Sequence, residues 1–307
     1  MTGDTPEIAA EALTTGRLVM LPTETVYGLA ADAANPEAVA RIFEAKGRPR
    51  FNPLIAHVSS AVEAERIAVF DSHARALAEA FWPGPLTIVA PVRDRLAVCD
   101  LARAGLDSVA VRVPGHPRAR AVIAAFGGAV VAPSANRSGR PSPTTFKDAM
   151  EETGHAVGAA VDGGDCAVGV ESTVVSVLDG AVSLLRPGSV TREELEAVVG
   201  PLAERAGHGH RSPGRLALHY APDAPVRINA EAAQAGEILL GFGPGVGDPR
   251  WSLSPAADLR QAAANLFRLL READRERPSG IAVSPIPATG LGEAINDRLK
   301  RAAGFVG

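Results

Sequence analysis

Three polar stretches of this chain hold the residues best suited to chemistry. In KGRPRFNPLIAHV, Lys46 to Val58, a helix ends, Lys46, Arg48 and Arg50 fall at alternate positions, and a strand opens at Leu54. Gly47 can adopt the left-handed conformation that stops a helix, and Pro49 and Pro53 stiffen the segment leading into the strand, so the cations are presented at low entropic cost. Alternate residues of an extended segment share one side, a geometry suited to a polyphosphate. The same letters also describe a solvated basic loop that complements the negative end of the preceding helix. In APSANRSGRPSPT, Ala132 to Thr144, three serines, an asparagine and two arginines follow a buried strand. Hydroxyls, amides and exposed backbone N–H groups bind phosphate without a Walker lysine; Ser142 and Thr144 also read as turn and N-cap residues for the next helix. In PTETVYGLA, Pro22 to Ala30, the residues Thr23, Glu24 and Thr25 stand at the carboxyl end of the opening strand. Ligands of α/β sheets bind at such ends, and a strand leaving the core through a polar turn has the same appearance.

Smaller fragments add single candidates. Arg112 in SVAVRVPGHP lies between Val111 and Val113 and faces the opposite side of its strand, into solvent or into a cleft. ESTVV, Glu171 to Val175, and LLRPGSV, around Arg186, likewise set a polar or charged residue against an apolar strand. Absent patterns narrow the field: no G-x-x-x-x-G-K-[ST], no H-E-x-x-H and no G-x-S-x-G occurs, so P-loop hydrolysis, zinc proteolysis and the α/β-hydrolase elbow have no residues to carry them. What remains is an anion pocket without an obvious protein nucleophile. The net charge of −4, with cations crowded into one loop, points to a small anion rather than a nucleic-acid duplex. Cys99 and Cys166 are the only cysteines and have no paired spacing, which favours a reducing compartment over zinc or a disulfide framework. The opening MTGDTPEIAA lacks a basic start and an apolar run, and no stretch reaches the roughly 18 apolar residues of a membrane span. A soluble, cytoplasmic protein is expected.

Positioning these residues requires an α/β framework. Strands are expected at Leu18 to Leu21, Leu54 to Val58, Leu86 to Pro91, Val109 to Val113, Ala129 to Ala132, Gly158 to Val161 and Thr173 to Val177. Helices are expected at Pro36 to Ala45, Asp71 to Ala80, Pro117 to Phe126, Thr144 to Glu152 and Arg192 to Val199. Gly207 to Asp223, rich in Gly, Pro, His and Arg and without a sustained period, marks a linker. Beyond it, Val226 to Ile228, Ile238 to Gly241 and Gly280 to Val283 read as strands, and Leu259, Ala263, Leu266, Leu270 and Ala273 form the apolar stripe of a long helix. GFGPGVG, Gly241 to Gly247, misses dinucleotide-loop spacing and reads as a plain loop. The expected organisation is a catalytic unit over 1–204, a linker or lid over 205–223 and a small α/β unit over 224–307.

Taken in order, PTETVYGLA, KGRPRFNPLIAHV, FWPGPLT, SVAVRVPGHP, APSANRSG, GVESTVV, LLRPG and HYAP closely resemble the threonylcarbamoyl-AMP synthase family, in the longer form with a C-terminal domain after the YrdC-like catalytic domain. The resemblance covers nearly the first 220 residues. It implies a twisted open mixed sheet with a concave cavity, followed by a small Rossmann-like α/β domain. It also implies an L-threonylcarbamoyladenylate synthase, a nucleotidyltransferase that joins L-threonine, bicarbonate and ATP, with Mg2+ accompanying ATP, and hands its product to a tRNA threonylcarbamoyl transferase. For ATP the resemblance points to Lys46, Arg48, Asn52, Ser108, Ser134, Asn136, Ser142, Arg186 and Tyr220; for L-threonine, to Thr25, His57, Arg112, Ala132 and Ser172. Arg112 suits a carboxylate, which a guanidinium binds through two parallel hydrogen bonds. Ala132 can act only through its backbone. Glu24, Asp162 and Glu171 are open possibilities for magnesium, with none assigned. Two other readings share this fold: a carbamoyltransferase of hydrogenase maturation, whose cysteine-rich modules this chain has no room for, and a nonenzymatic RNA-binding module.

Overall fold

The computed structural model of the protein describes residues 3–49, 52–178, 180–203 and 219–305. Nine strands form one mixed sheet: Leu18–Leu21 (β1), Gly28–Asp32 (β2), Ile55–His57 (β3), Leu86–Pro91 (β4), Ser108–Arg112 (β5), Val130–Val131 (β6), Val157–Ala160 (β7), Thr173–Ser176 (β8) and Ser183–Arg186 (β9), in the order β7-β1-β2-β6-β3-β5-β4-β8-β9. Helices Pro6–Thr14 (α1), Pro36–Lys46 (α2), Ala61–Ile67 (α3), Ser72–Phe81 (α4), Asp100–Arg103 (α5), Pro117–Phe126 (α6), Phe146–Thr153 (α7) and Arg192–Val199 (α8) surround it. Every residue of β1 is buried because the sheet is covered on both faces. Its alternate residues Leu18 and Met20 join one core with α2, while Val19 and Leu21 join another with α1 and α6.

That second covering is incomplete. On the face bearing α1 and α6, the other half of the sheet carries only a small apolar patch of Ile55, Val89, Ala110 and Val174. The pleat puts His57 and Arg112 on this same bare side, two residues along from Ile55 and Ala110, and the parallel register pairs them directly. Arg112 is therefore in a cleft, 3% exposed, and not in solvent.

The second unit has four parallel strands, Val226–Arg227 (β10), Glu237–Phe242 (β11), Ser252–Ser254 (β12) and Gly280–Val283 (β13), in the order β10-β13-β11-β12, with helices Leu259–Arg275 (α9) and Leu291–Ala302 (α10). Its core includes Val26, Val170 and Tyr220, so it is continuous with the first unit. Gly169 makes this docking possible: a Cβ there would stand 2.4 Å from both the carbonyl oxygen of Ala263 and Cα of Ala264 in α9. Ion pairs cross the contact, among them the buried pair of Arg271 with Glu152 at 2.9 Å and the more exposed pair of Arg192 with Glu293 at 3.0 Å.

Most of the expected elements lie within a residue or two of their observed bounds, and the departures have physical causes. The segment after β1 turns back as the antiparallel strand β2. Helix α7 begins at Phe146 because Thr145, rather than Ser142 or Thr144, accepts the hydrogen bond from Asp148 N. Helices α1, α3 and α10, and strand β12, have no counterpart among the expected elements. Most of the expected linker, 205–218, lies outside the described residues, which resume at His219.

Candidate active site

The bare half of the sheet forms the floor of a cavity whose rim comes from the three polar stretches and whose roof comes from His219 and Tyr220. On one side, Arg112 donates from Nε to Gly84 O (3.2 Å), from Nη1 to Thr25 Oγ1 (3.0 Å) and from Nη2 to Glu24 Oε1 (2.5 Å). The other oxygen of Glu24 accepts from Gly115 N at 2.9 Å and His116 N at 3.3 Å. Burial raises the Glu24 carboxyl's pKa, but Arg112 and these N–H groups bring it below the usual carboxylate range, so Glu24 is ionised. Three of the five N–H groups of Arg112 are thus engaged, leaving two for a ligand.

His57, 2% exposed, sits beside Arg112. Burial and then the neighbouring guanidinium push its pKa down to about 3, so the ring is neutral at pH 7. Its Nδ1 lies 3.0 Å from Ile55 O, an acceptor only, so Nδ1 carries the proton and Nε2 is left as an acceptor. Ser172 completes this side; its hydroxyl lies 2.8 Å from Thr87 Oγ1. Ala132 lines the wall and its N–H donates to Ile55 O at 3.3 Å, which leaves its carbonyl as the group it can offer.

On the other side, Arg186 donates from Nε and Nη2 to Ser172 O, at 3.1 and 2.9 Å. Arg48 lines the cavity with Nε and Nη2 buried and without a partner among the described residues, and burial lowers its pKa to about 10, which still leaves it charged. A buried cation with free donors is a receptor for an anion. Helix α2 aims it there: Asn35 caps the helix start, and Gly47, at φ 57°, ends it. Ser134 lines the same wall and donates to Asn136 Oδ1 at 2.5 Å.

Nine of the fourteen residues singled out line the cavity: Thr25, Arg48, His57, Arg112, Ala132, Ser134, Ser172, Arg186 and Tyr220. The other five do not. Lys46 is off the lining: its ammonium donates to the carbonyls of Ser134 and Asn136 and braces the loop, and burial and then the nearby Arg48 guanidinium lower its pKa. Asn136 bonds the carbonyls of Arg137 and Arg140, at 2.7 and 2.9 Å, and shapes the same loop. Ser142 donates to Glu171 Oε1, Asn52 is buried off the wall, and Ser108 is half-buried at the opposite end of β5 from Arg112. Arg50 lies outside the described residues. Glu171 and His219 line the cavity without having been assigned to a ligand from sequence, and Arg298 of α10 stands directly behind Glu171.

Among the described residues no group of three or more His, Cys, Asp or Glu could hold a metal ion. Glu24 and Glu171 are committed to arginines, and Asp162 accepts from Gly164 N at 2.9 Å. The cavity has a free volume of only about 50 Å³, far below the roughly 300 Å³ at which ligand pockets begin. Tyr220 caps it, with its backbone at φ 62°, its ring 5.4 Å from that of Phe267, and Ala221 N donating to Gly139 O at 2.8 Å.

Residues 11–188 match the family model Sua5_yciO_yrdC, described as telomere recombination, and residues 190–304 match that of the threonylcarbamoyl-AMP synthase C-terminal domain. The chain is 39% identical to the threonylcarbamoyl-AMP synthase of Bacillus subtilis, over 97% of its own length and 93% of that protein's. It belongs to the threonylcarbamoyl-AMP synthase family. The Pyrococcus abyssi member is 38% identical over 97% of this chain and 94% of its own. The crystal structure of Pyrococcus abyssi Sua5 complexed with L-threonine superposes with a TM-score of 0.87 at 36% identity, covering 98% of this chain and 94% of that one. A shorter putative threonylcarbamoyl-AMP synthase from Mycobacterium tuberculosis is 37% identical and spans 62% of this chain but 88% of its own length. Among the described residues no helix is long and apolar enough to cross a membrane.

Proposed function

We propose that this chain is an L-threonylcarbamoyladenylate synthase, a nucleotidyltransferase, and that the cavity described above holds L-threonine against Arg112 and the triphosphate of ATP against Arg48 and Arg186. The observation that carries this reading is the pairing of two unlike anion receptors within one cavity. Arg112 has two N–H groups left for a carboxylate, beside the neutral acceptor His57 Nε2; Arg48 has bare donors beside Ser134. Thr25, Ala132 and Ser172 serve the amino acid. Ser134, Tyr220 and, through the loop they shape, Lys46, Asn136 and Ser142 serve the nucleotide, whereas Asn52 and Ser108 rest on the family resemblance alone.

The amine of threonine adds to carbon dioxide derived from bicarbonate and loses a proton, giving a carbamate. A carbamate oxygen then attacks the α-phosphorus of ATP as the bond to the pyrophosphate oxygen breaks, and pyrophosphate leaves with its electron pair. Both nucleophiles belong to substrates, so the protein aligns reactants and offsets phosphate charge. A cavity rich in guanidinium and hydroxyl groups is built for that work. Glu24 and Glu171 are already paired with arginines, which fits Mg2+ arriving on phosphate oxygens and water rather than on a protein cage. Bound in that way, the ion would neutralise phosphate charge.

The product is suited to a tRNA threonylcarbamoyl transferase in the cytoplasm. Arg48, Arg112 and Arg186 converge on one cavity and not on separate outward surfaces, which favours the synthase over the RNA-binding reading. Pyrophosphate release that requires threonine and bicarbonate together is the expected result, measured on the purified chain; ATP turnover indifferent to threonine would refute the assignment.

A further inference from the structure

We infer that Arg298, delivered by the second domain, is a positioning residue of the cavity: it engages the carboxylate of Glu171 and thereby keeps Arg186 available to the triphosphate. The inference rests on the synthase reading above.

Arg298 is 1% exposed on α10. Its Nε donates to Glu171 Oε2 at 3.0 Å, its Nη2 to Glu171 O at 3.4 Å and its Nη1 to Pro187 O at 2.6 Å. Glu171 adjoins Ser172, and Pro187 adjoins Arg186, so one guanidinium clips the neighbours of two cavity residues. The two segments leave no room between them, since a Cβ on Gly188 would stand 2.3 Å from Thr173 N and 2.7 Å from Glu171 O. The remaining oxygen of Glu171 accepts from Ser142 Oγ.

The cation left nearest to an unpaired Glu171 would be Arg186. In the structure Arg186 gives its donors to Ser172, and among the described residues it forms no ion pair with Glu171. A carboxylate buried at 7% exposure is not tolerated unpaired. Deprived of Arg298, it would draw Arg186 toward itself or take up a proton, and the first outcome neutralises a charge aimed at the phosphates. Burial opposes the charge on Arg298, yet the adjacent carboxylate raises its pKa above the ordinary arginine value, so the clip stays charged. The domain contact and the nucleotide wall therefore share a single ion pair.

The test uses the full chain and calorimetric titration with a non-hydrolysable methylene analogue of ATP plus Mg2+. Arg298→Met should weaken binding at least tenfold, whereas Glu171→Gln combined with Arg298→Met should bind within about threefold of Glu171→Gln alone, because no carboxylate remains to capture Arg186. Binding by Arg298→Met within threefold of the wild type overturns the inference. So does a double variant tenfold or more weaker than Glu171→Gln, which would make Arg298 a packing residue only. If Arg298→Met does not fold, the second comparison decides alone. Pyrophosphate release by the wild type is measured in parallel: its failure to depend on threonine and bicarbonate would sink the synthase reading, while the binding comparison still judges Arg298.

Discussion

On the Arg112 side of the cavity the buried charges are matched: Arg112 holds Glu24 and Thr25, and Glu24 is in turn held by two backbone N–H groups. On the Arg48 side two buried donors have no partner among the described residues. The first wall is preorganised and completes itself; the second waits for its ligand. Removing a residue from the matched wall should damage both fold and function, while removing one from the unmatched wall should damage function alone.

Arg112→Ala is the harshest way to break the contrast. It leaves Glu24 buried without its cation, which costs about 3–5 kcal/mol, and it removes a two-pronged carboxylate site, so the threonine KM should rise on the order of 100-fold. Thermal denaturation and threonine-dependent pyrophosphate release read the two effects. Arg48→Ala comes next: the ATP KM should rise on the order of tenfold or more, with a melting temperature equal to or above that of the wild type, since a partnerless buried cation is gone. A clear loss of stability in Arg48→Ala would erase the distinction between the walls.

Acid offers a finer probe, because the Arg112 wall and the roof each contain one buried neutral histidine. His57 and His219 both have their pKa lowered to about 3 by burial. Below the unfolded value of about 6.5 the unfolded chain binds protons that the folded chain refuses, so stability falls as pH drops from 6.5 toward 3. Each ring contributes a slope on the order of 1 kcal/mol per pH unit in that window. Melting temperatures between pH 7 and 5 should decline, and His57→Asn should flatten part of the decline. The smallest effect belongs to Arg140, a quarter exposed, which bonds Asp274 at 3.3 Å and also pairs with Asp223 beside the roof. Arg140→Ala should change the ATP KM only two- to threefold, in keeping with a partly solvated pair worth about 1 kcal/mol.

The motifs are legible in the sequence because each is local. Strands such as Leu86 to Pro91 announce themselves by apolar β-formers, and α6 by Pro117 at its start and Gly127 at its end. Strand β2 is hidden because GLAAD has no β-branched residue, and it is a strand only through pairing with β1 and β6. Lys46 stays electrostatically close to Arg48, but its ammonium is taken up by the carbonyls of Ser134 and Asn136, a partnership that spacing does not reveal. The partnership of Glu171 with Arg298 joins residues 127 positions apart, and no periodicity connects them. Arg112 is legible as a residue facing away from its neighbours, but only the bare half of the sheet decides that it faces a cleft.

The ring of Tyr220 belongs at once to the hydrophobic interior of the second domain and to the ceiling over the arginines. Admitting a nucleotide means prising that ring off Phe267, at an expense of about 2 kcal/mol for one aromatic side chain. The resting molecule would then stand ajar only about 3% of the time, and nucleotide would bind roughly thirtyfold more weakly than the bare arginines alone would allow. The same stopper, once reseated behind a bound adenylate, would keep bulk water from the mixed anhydride until a recipient arrives.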